Sequence, residues 1–361
     1  MAAGKHEVFR HVLPDFSSTP ALSTGHKPMT RWDQARQLFG LSRRQNAPVR
    51  PRQRSSAGAP SSAPNAAPVR IRQPRTPSAS PAPTRRARSL CIASGKGGTG
   101  KSSISASLAT LFVRRGRTLL MDGDLGCANA HILQNVHPKH SFADVIAGEL
   151  GVPEIVTPCE SGVDLLAGGS GLARLAGLKS YELEMIGRGL DALEPHYDHL
   201  VVDSAAGLSR QTVAFAVACD ATVVVTTPDV TAMTDAYAFI KVFVRQCEAQ
   251  GVDRPMPYLV VNRVESATEA EIVSRRLQEV VHKFLGRKVE LIGHLPEDRA
   301  LFRASQRRKT VVDDEPESEV SRALHTLSNS VLSRLAAVGG KKADTRSVGQ
   351  RLAEGVTGKS A

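Results

Sequence analysis

The stretch SGKGGTGKSS, Ser94–Ser103, constrains this chain more than any other. Within it, Gly95, Lys96, Gly97, Gly98, Thr99, Gly100, Lys101 and Ser102 fit the phosphate-loop spacing GxxxxGK[ST]. A short apolar run, SLCIA at 89–93, precedes the loop and a helix-period segment at 102–115 follows it. That strand, loop and helix context gives the match its meaning. The glycines let backbone N–H groups turn inward on an anion at the positive end of the helix. Lys101 is then expected to reach the β- and γ-phosphates, and the Ser102 hydroxyl to ligate Mg²⁺. One lysine suffices for this chemistry, so Lys96 needs a separate explanation.

Downstream, short β-branched runs alternate with helical patterns. RTLLMD (117–122), HLVVD (199–203), ATVVVT (221–226), YLVVN (258–262) and VELIG (289–293) read as further strands. Segments 209–218, 232–249 and 266–285 carry helical periodicity between them. Strands apolar throughout are buried on both faces, which predicts one α/β domain with a mostly parallel sheet flanked by helices. Segment 318–337, with Val320, Leu324, Leu327, Val331 and Leu335, reads as a helix whose apolar stripe packs on the core.

Charge divides the chain. Residues 1–88 hold 16 Lys and Arg against 3 acidic residues, and 12 of the 21 prolines, whereas the rest is balanced at 31 basic and 32 acidic. Such a start cannot bury enough apolar surface to offset its chain entropy, so 45–88 reads as a disordered Pro/Arg/Ser-rich linker. The ordered domain is expected over 89–338, with 1–44 as an N-terminal tail and 339–361 as a flexible C-terminal tail. Five cysteines without CxxC spacing suit a reducing, cytoplasmic setting with buried thiols. No run approaches 18 apolar residues, so neither export nor a membrane span is expected.

Acidic residues stand where phosphate chemistry needs them. LVVDSAAG places Asp203 at a buried strand end, a position for a carboxylate that holds Mg²⁺ through water. In LLMDGDLGCAN, Asp122 and Asp124 lie two apart at another strand end, and one of them could orient the attacking water. Ser102, Asp122 and Asp203 are the candidate metal set. Ser103 completes the candidate phosphate loop.

The segments KGGTGKS, MDGDLGCAN, VVDSAAG and VVTTPDVTAMTDAYAFIK together resemble the MinD/ParA group of deviant-Walker ATPases. Within that group they are most similar to the flagellar-number branch, FlhG, also called FleN or YlxH. The resemblance covers about residues 89–310. It implies slow, regulatory ATP hydrolysis with Mg²⁺ and an ATP-dependent homodimer, in which Lys96 crosses to the partner subunit's phosphates. It also implies that Asp124 positions the hydrolytic water, that Asp122 supports a switch loop, and that Asp203 supports the metal. Asn262, with Arg263 beside it, matches the adenine-recognising position, and Pro296, Glu297 and Asp298 fall in the loop closing over the base. Gly123, Cys127, Ala205 and Thr99 depart from the family pattern without removing a chemical group.

In the basic tail, TRWDQARQLFG has helix-capping Thr30, a Gly40 stop and an apolar face of Trp32, Ala35, Leu38 and Phe39. So short a helix is marginal in water and is expected to fold only against a partner. DQARQL resembles the DQAxxLR motif with which FlhG proteins stimulate the GTPase FlhF. That makes Asp33, Gln34, Ala35 and Leu38 candidate partner-binding residues, with Gln34 assisting GTP hydrolysis; Phe39 stands where the family has Arg. Flagellar switch or transcriptional regulator proteins are further expected partners, as is peripheral contact with the inner face of the membrane.

Rival readings within the fold are an iron–sulfur carrier, a ParA-like partition ATPase and a MinD-like division-site ATPase. The first lacks paired cysteines. A balanced core charge argues against specific nucleic-acid binding, although the basic tail itself suits nucleic acid or acidic lipid. The last would end in a strongly apolar basic helix, and the C-terminal segment offers only Val348, Leu352 and Val356.

Overall fold

In a computed structural model of the chain, residues 86–126, 128–169, 177–338 and 344–357 are described. The expectations for residues 1–85, including Asp33, Gln34, Ala35 and Leu38, and that for Cys127 lie outside the described residues. Eight strands form one sheet: β1 Arg88–Ser94, β2 Thr118–Gly123, β3 Val156–Pro158, β4 Asp164–Leu166, β5 His199–Ala206, β6 Ala221–Thr226, β7 Tyr258–Val264 and β8 Glu290–Pro296. Their order is β3-β4-β2-β5-β1-β6-β7-β8. Every pairing is parallel except β3 with β4 at the edge. The α/β architecture and the mostly parallel sheet therefore match the sequence reading.

Alternation along the strands divides the core in two. Leu90 and Ile92 of β1 and Val201 of β5 face the helices α1 (Lys101–Phe112), α2 (Ala130–Leu133), α8 (Arg299–Gln306), α9 (Val311–Asp314) and α10 (Glu319–Val338). Cys91 and Ala93 of β1 and Val202 of β5 face α3 (Phe142–Ala147), α4 (Ser180–Leu193), α5 (Arg210–Ala218), α6 (Val230–Gln250), α7 (Ala267–Leu285) and α11 (Val348–Thr357). Both faces of β1 are thus dry. Each fully buried Leu, Ile, Val or Phe contributes roughly 1.5–3 kcal/mol. The stripe of Val320, Leu324, Leu327, Val331 and Leu335 is buried in the α10 packing, as its spacing predicts.

One boundary is corrected. The segment 344–357, read from sequence as part of a flexible tail, is folded: α11 packs on α4 and α5 with Val348 and Leu352 buried. Two apolar residues would not hold so short a helix, but a buried ion network does. Arg351 Nη1 lies 2.8 Å from Asp220 Oδ1, and Arg86 Nη2 approaches the same oxygen at 2.6 Å. Arg254 and Arg346 flank Asp344 at 3.0 and 2.8 Å. Glu194 accepts from the N–H groups of Val348 and Gly349 at the open N-terminus of α11, where a carboxylate is favoured. Among the described residues no helix is long and apolar enough to cross a membrane.

Candidate nucleotide-binding site

Parallel sheets place their sites at the carboxyl ends of the strands, where the strand order diverges on either side of β1. Here those ends carry the phosphate loop (β1), Asp122 (β2), Asp203 (β5), Asp229 just beyond β6, Asn262 (β7) and Pro296 (β8). The topology brings every expected core residue to one edge.

Gly100 takes φ 94° as it opens α1, a conformation that penalises side chains. A Cβ there would meet Asn262 Nδ2 at 2.3 Å, and one on Gly95 would meet the Asp235 carbonyl at 2.0 Å, so the loop is tightly walled by β7 and α6. No side chain caps the N-terminus of α1, and its first turn holds no acidic residue. Its N–H groups and positive end are therefore left for an anion. The buried Thr99 hydroxyl also has no partner among the described residues. These features fit a bound polyphosphate.

The two lysines differ sharply. Lys101 is turned inward at 8% exposure. Lys96 has a side chain 43% exposed, hydrogen-bonded to Thr231 Oγ1 and 3.8 Å from Asp229 at the start of α6. Lys96, Gly97, Gly98 and Thr99 form one wall of an open cavity of about 430 Å³, with Pro228, Arg263 and Glu297 on others. Ser103 lies away from that cavity, in a narrow cleft with Leu301 and Lys309.

Asp203 is buried, and burial pushes its carboxyl up. The Ser102 hydroxyl, the Lys101 charge and a 3.0 Å bond from Ser105 Oγ pull the other way. Ser102 and Asp203 thus adjoin beside Lys101. Ser105 escaped the sequence reading: one serine in SSISAS has no distinguishing signal, and only burial against Asp203 singles it out.

Asp122 pairs in register with Asp203 on the adjacent strand. Burial first, then the Asp203 charge, push its carboxyl up to about 8, against three backbone donors. Those donors are the N–H groups of Asp124 (3.1 Å), Asn129 (2.9 Å) and Ala130 (2.9 Å). The carboxylate expected among the metal set is thus spent on the β2–α2 loop, which agrees with a switch-loop support. Asp124 is half-buried at the start of that loop.

Asn262 is buried and donates from Nδ2 to the Thr99 carbonyl at 2.8 Å, while its Oδ1 accepts from Arg263 N at 2.9 Å. It braces the phosphate loop. Arg263 is exposed with φ 59°. Pro296 ends β8, and Glu297 lines the cavity. Asp298, in the same loop, caps α8 by accepting from Ala300 N at 2.8 Å.

Residues 90–311 match the CobQ/CobB/MinD/ParA nucleotide-binding-domain family. The chain belongs to that family. It is a P-loop ATPase that uses ATP with Mg²⁺. It is 30% identical over 243 residues to the antiactivator FleN of Pseudomonas aeruginosa, covering 67% of this chain and 85% of the relative. It is 31% identical over 252 residues to the flagellum site-determining protein YlxH of Helicobacter pylori, covering 68% and 82%. Its fold is that of the septum site-determining protein MinD of Pyrococcus horikoshii, solved with Mg-ADP: TM-score 0.58, 24% identity, 71% of this chain and 99% of the other.

Proposed function

We propose that this ATPase is a dimerising switch that sets flagellar number or placement, with ATP as the contact between two subunits and slow hydrolysis as the release. The observation that carries the switch is the contrast between its two loop lysines. Lys101 is sequestered beside Ser102 and Asp203, whereas Lys96 is exposed at the cavity rim, where a second chain can approach. Lys101 therefore serves the nucleotide of its own chain and Lys96 that of the partner. Ser102 and Asp203 would hold the metal, and Asp124 would orient the attacking water. Its likeness to FleN and YlxH supports the flagellar setting.

Calorimetric titration of ATP into point variants tests this division. Lys101→Ala is expected to weaken binding roughly ten- to hundredfold, the worth of charged hydrogen bonds to phosphate. Lys96→Ala is expected to bind as wild type does and lose only ATP-driven association. Equal loss in both variants would refute the assignment.

The N-terminal motif extends the reading to a partner, an FlhF-like GTPase. Asp33, Gln34, Ala35 and Leu38 support it through their resemblance to the stimulating motif. The full-length protein and a peptide of residues 1–45 should both accelerate the cognate GTPase, and Gln34→Ala should abolish stimulation with binding retained. Absence of both binding and stimulation would remove this partner from the account. Contact with the inner face of the membrane, and with flagellar switch or regulator proteins, belongs to the same proposal.

A further inference from the structure

The peptide bond between Gly123 and Asp124 is held at both of its polar ends. Its N–H, on Asp124, donates to Asp122 Oδ1 at 3.1 Å. Its C=O, on Gly123, accepts from Gln211 Nε2 at 3.1 Å. A peptide is planar, so fixing both groups fixes the plane and with it the direction in which Asp124 leaves the sheet. Asp122 belongs to β2 itself. Gln211 comes from elsewhere, the second residue of α5, just beyond the turn that follows Ala206 at the end of β5, the strand that carries Asp203.

Two further observations set Gln211 apart from a residue that fills space. It is only 6% exposed, at the start of a helix that is apolar from Val213 onward, and its Oε1 is buried without a hydrogen-bond partner among the described residues. A methionine or leucine would fill the same volume without stranding a buried acceptor. Among the described residues, the bond this amide makes is to the backbone beside Asp124. The turn before α5 also passes through Gly207 at φ 94°, a left-handed conformation that favours glycine and sets the direction in which the chain enters α5.

We infer that Gln211 is a positioning residue for hydrolysis: it clamps the Gly123–Asp124 peptide to α5, so that the Asp124 loop and the loop following Asp203 adopt their working geometry together. The inference rests on the reading of Asp124 as the residue that orients water. Gln211 itself need touch neither nucleotide nor water. A displacement of about 1 Å at an aligning residue is enough to cost orders of magnitude in rate.

The test uses the full-length protein with Gln211→Met, which removes both polar groups, and Gln211→Glu, which keeps the length and loses the donor. Both are expected to lower kcat for ATP roughly tenfold while leaving KM within about twofold. Without nucleotide, amide hydrogen exchange in the segment Asp122–Ala130 should rise in Gln211→Met, with exchange in the distant strands β7 and β8 unchanged. On an Asp124→Ala background, Gln211→Met should cause no further loss, because the two act as one unit. Unchanged exchange at Asp122–Ala130, or unchanged kcat in both variants while Asp124→Ala is impaired, would overturn the inference. A further loss on the Asp124→Ala background would overturn it too. If Asp124→Ala itself hydrolyses ATP normally, the role of Asp124 has failed, and the exchange measurement still decides whether Gln211 holds the peptide.

Discussion

Lys96 and Asp229 face each other across 3.8 Å within a single chain, with the Thr231 hydroxyl bonded to the same ammonium. Asp229 also caps α6, accepting from Thr231 N at 2.7 Å and Ala232 N at 3.1 Å. A lysine that serves a partner must first leave these acceptors. On the proposed role of Lys96, the monomer then competes with the dimer for one side chain.

Asp229→Asn keeps a cap acceptor and removes the charge. Both groups are exposed, and such pairs are weak, so the variant should dimerise at an ATP concentration lower by about two- to fivefold. Light scattering across an ATP titration measures this. An unchanged or higher midpoint would show that the contact does not compete.

At the opposite end of the sheet, Asp220 receives Arg86, Arg351, Ser89 N and Ser89 Oγ. Arg351→Met should cost about 1–3 kcal/mol, because Arg86 still compensates the carboxylate. Asp220→Asn should cost more, about 3–5 kcal/mol, since it strands a buried Arg351. Urea unfolding of both variants checks the order. Asp220→Asn as the milder change would mean that the network does not hold α11.

Glu194 supplies the pH dependence of that same segment. Burial first, against the opposing bonds from Val348 N and Gly349 N and the charge of Arg351, pushes its carboxyl up from 4.5 to about 7. A carboxyl raised on folding favours the folded state below its unfolded value and loses that contribution as pH climbs through the folded one. This group's contribution should therefore fall between about pH 5 and 8, on the order of 2 kcal/mol, and Glu194→Gln should reduce the overall slope while the raised Asp122 carboxyl keeps its own share. Thermal melts at several pH values are the readout. A wild type that gains stability over this window would contradict the assignment.

Why so much of the sheet was legible follows from where its strands lie. Five of the six strands read from sequence are buried along nearly their whole length, β8 at the edge being the exception, and the glycines and lysines of the phosphate loop stand in unbroken order. β3 and β4 have three residues each, too few for any period to show. α11 was missed because its anchoring charge, Arg351, finds Asp220 131 positions away, and nothing local marks an arginine for burial. Asp122 was recognisable as a strand-end carboxylate, but only the fold shows that its oxygens are taken by backbone N–H groups.

If ATP joins two chains through Lys96, sedimentation velocity will show the joined state. With Mg²⁺ and a non-hydrolysable ATP analogue the wild type should sediment as a dimer, with ADP as a monomer. Asp124→Ala should remain dimeric in ATP itself, and Lys96→Ala should stay monomeric throughout. A wild type that remains monomeric with the analogue, or a Lys96→Ala variant that dimerises as wild type does, would contradict it.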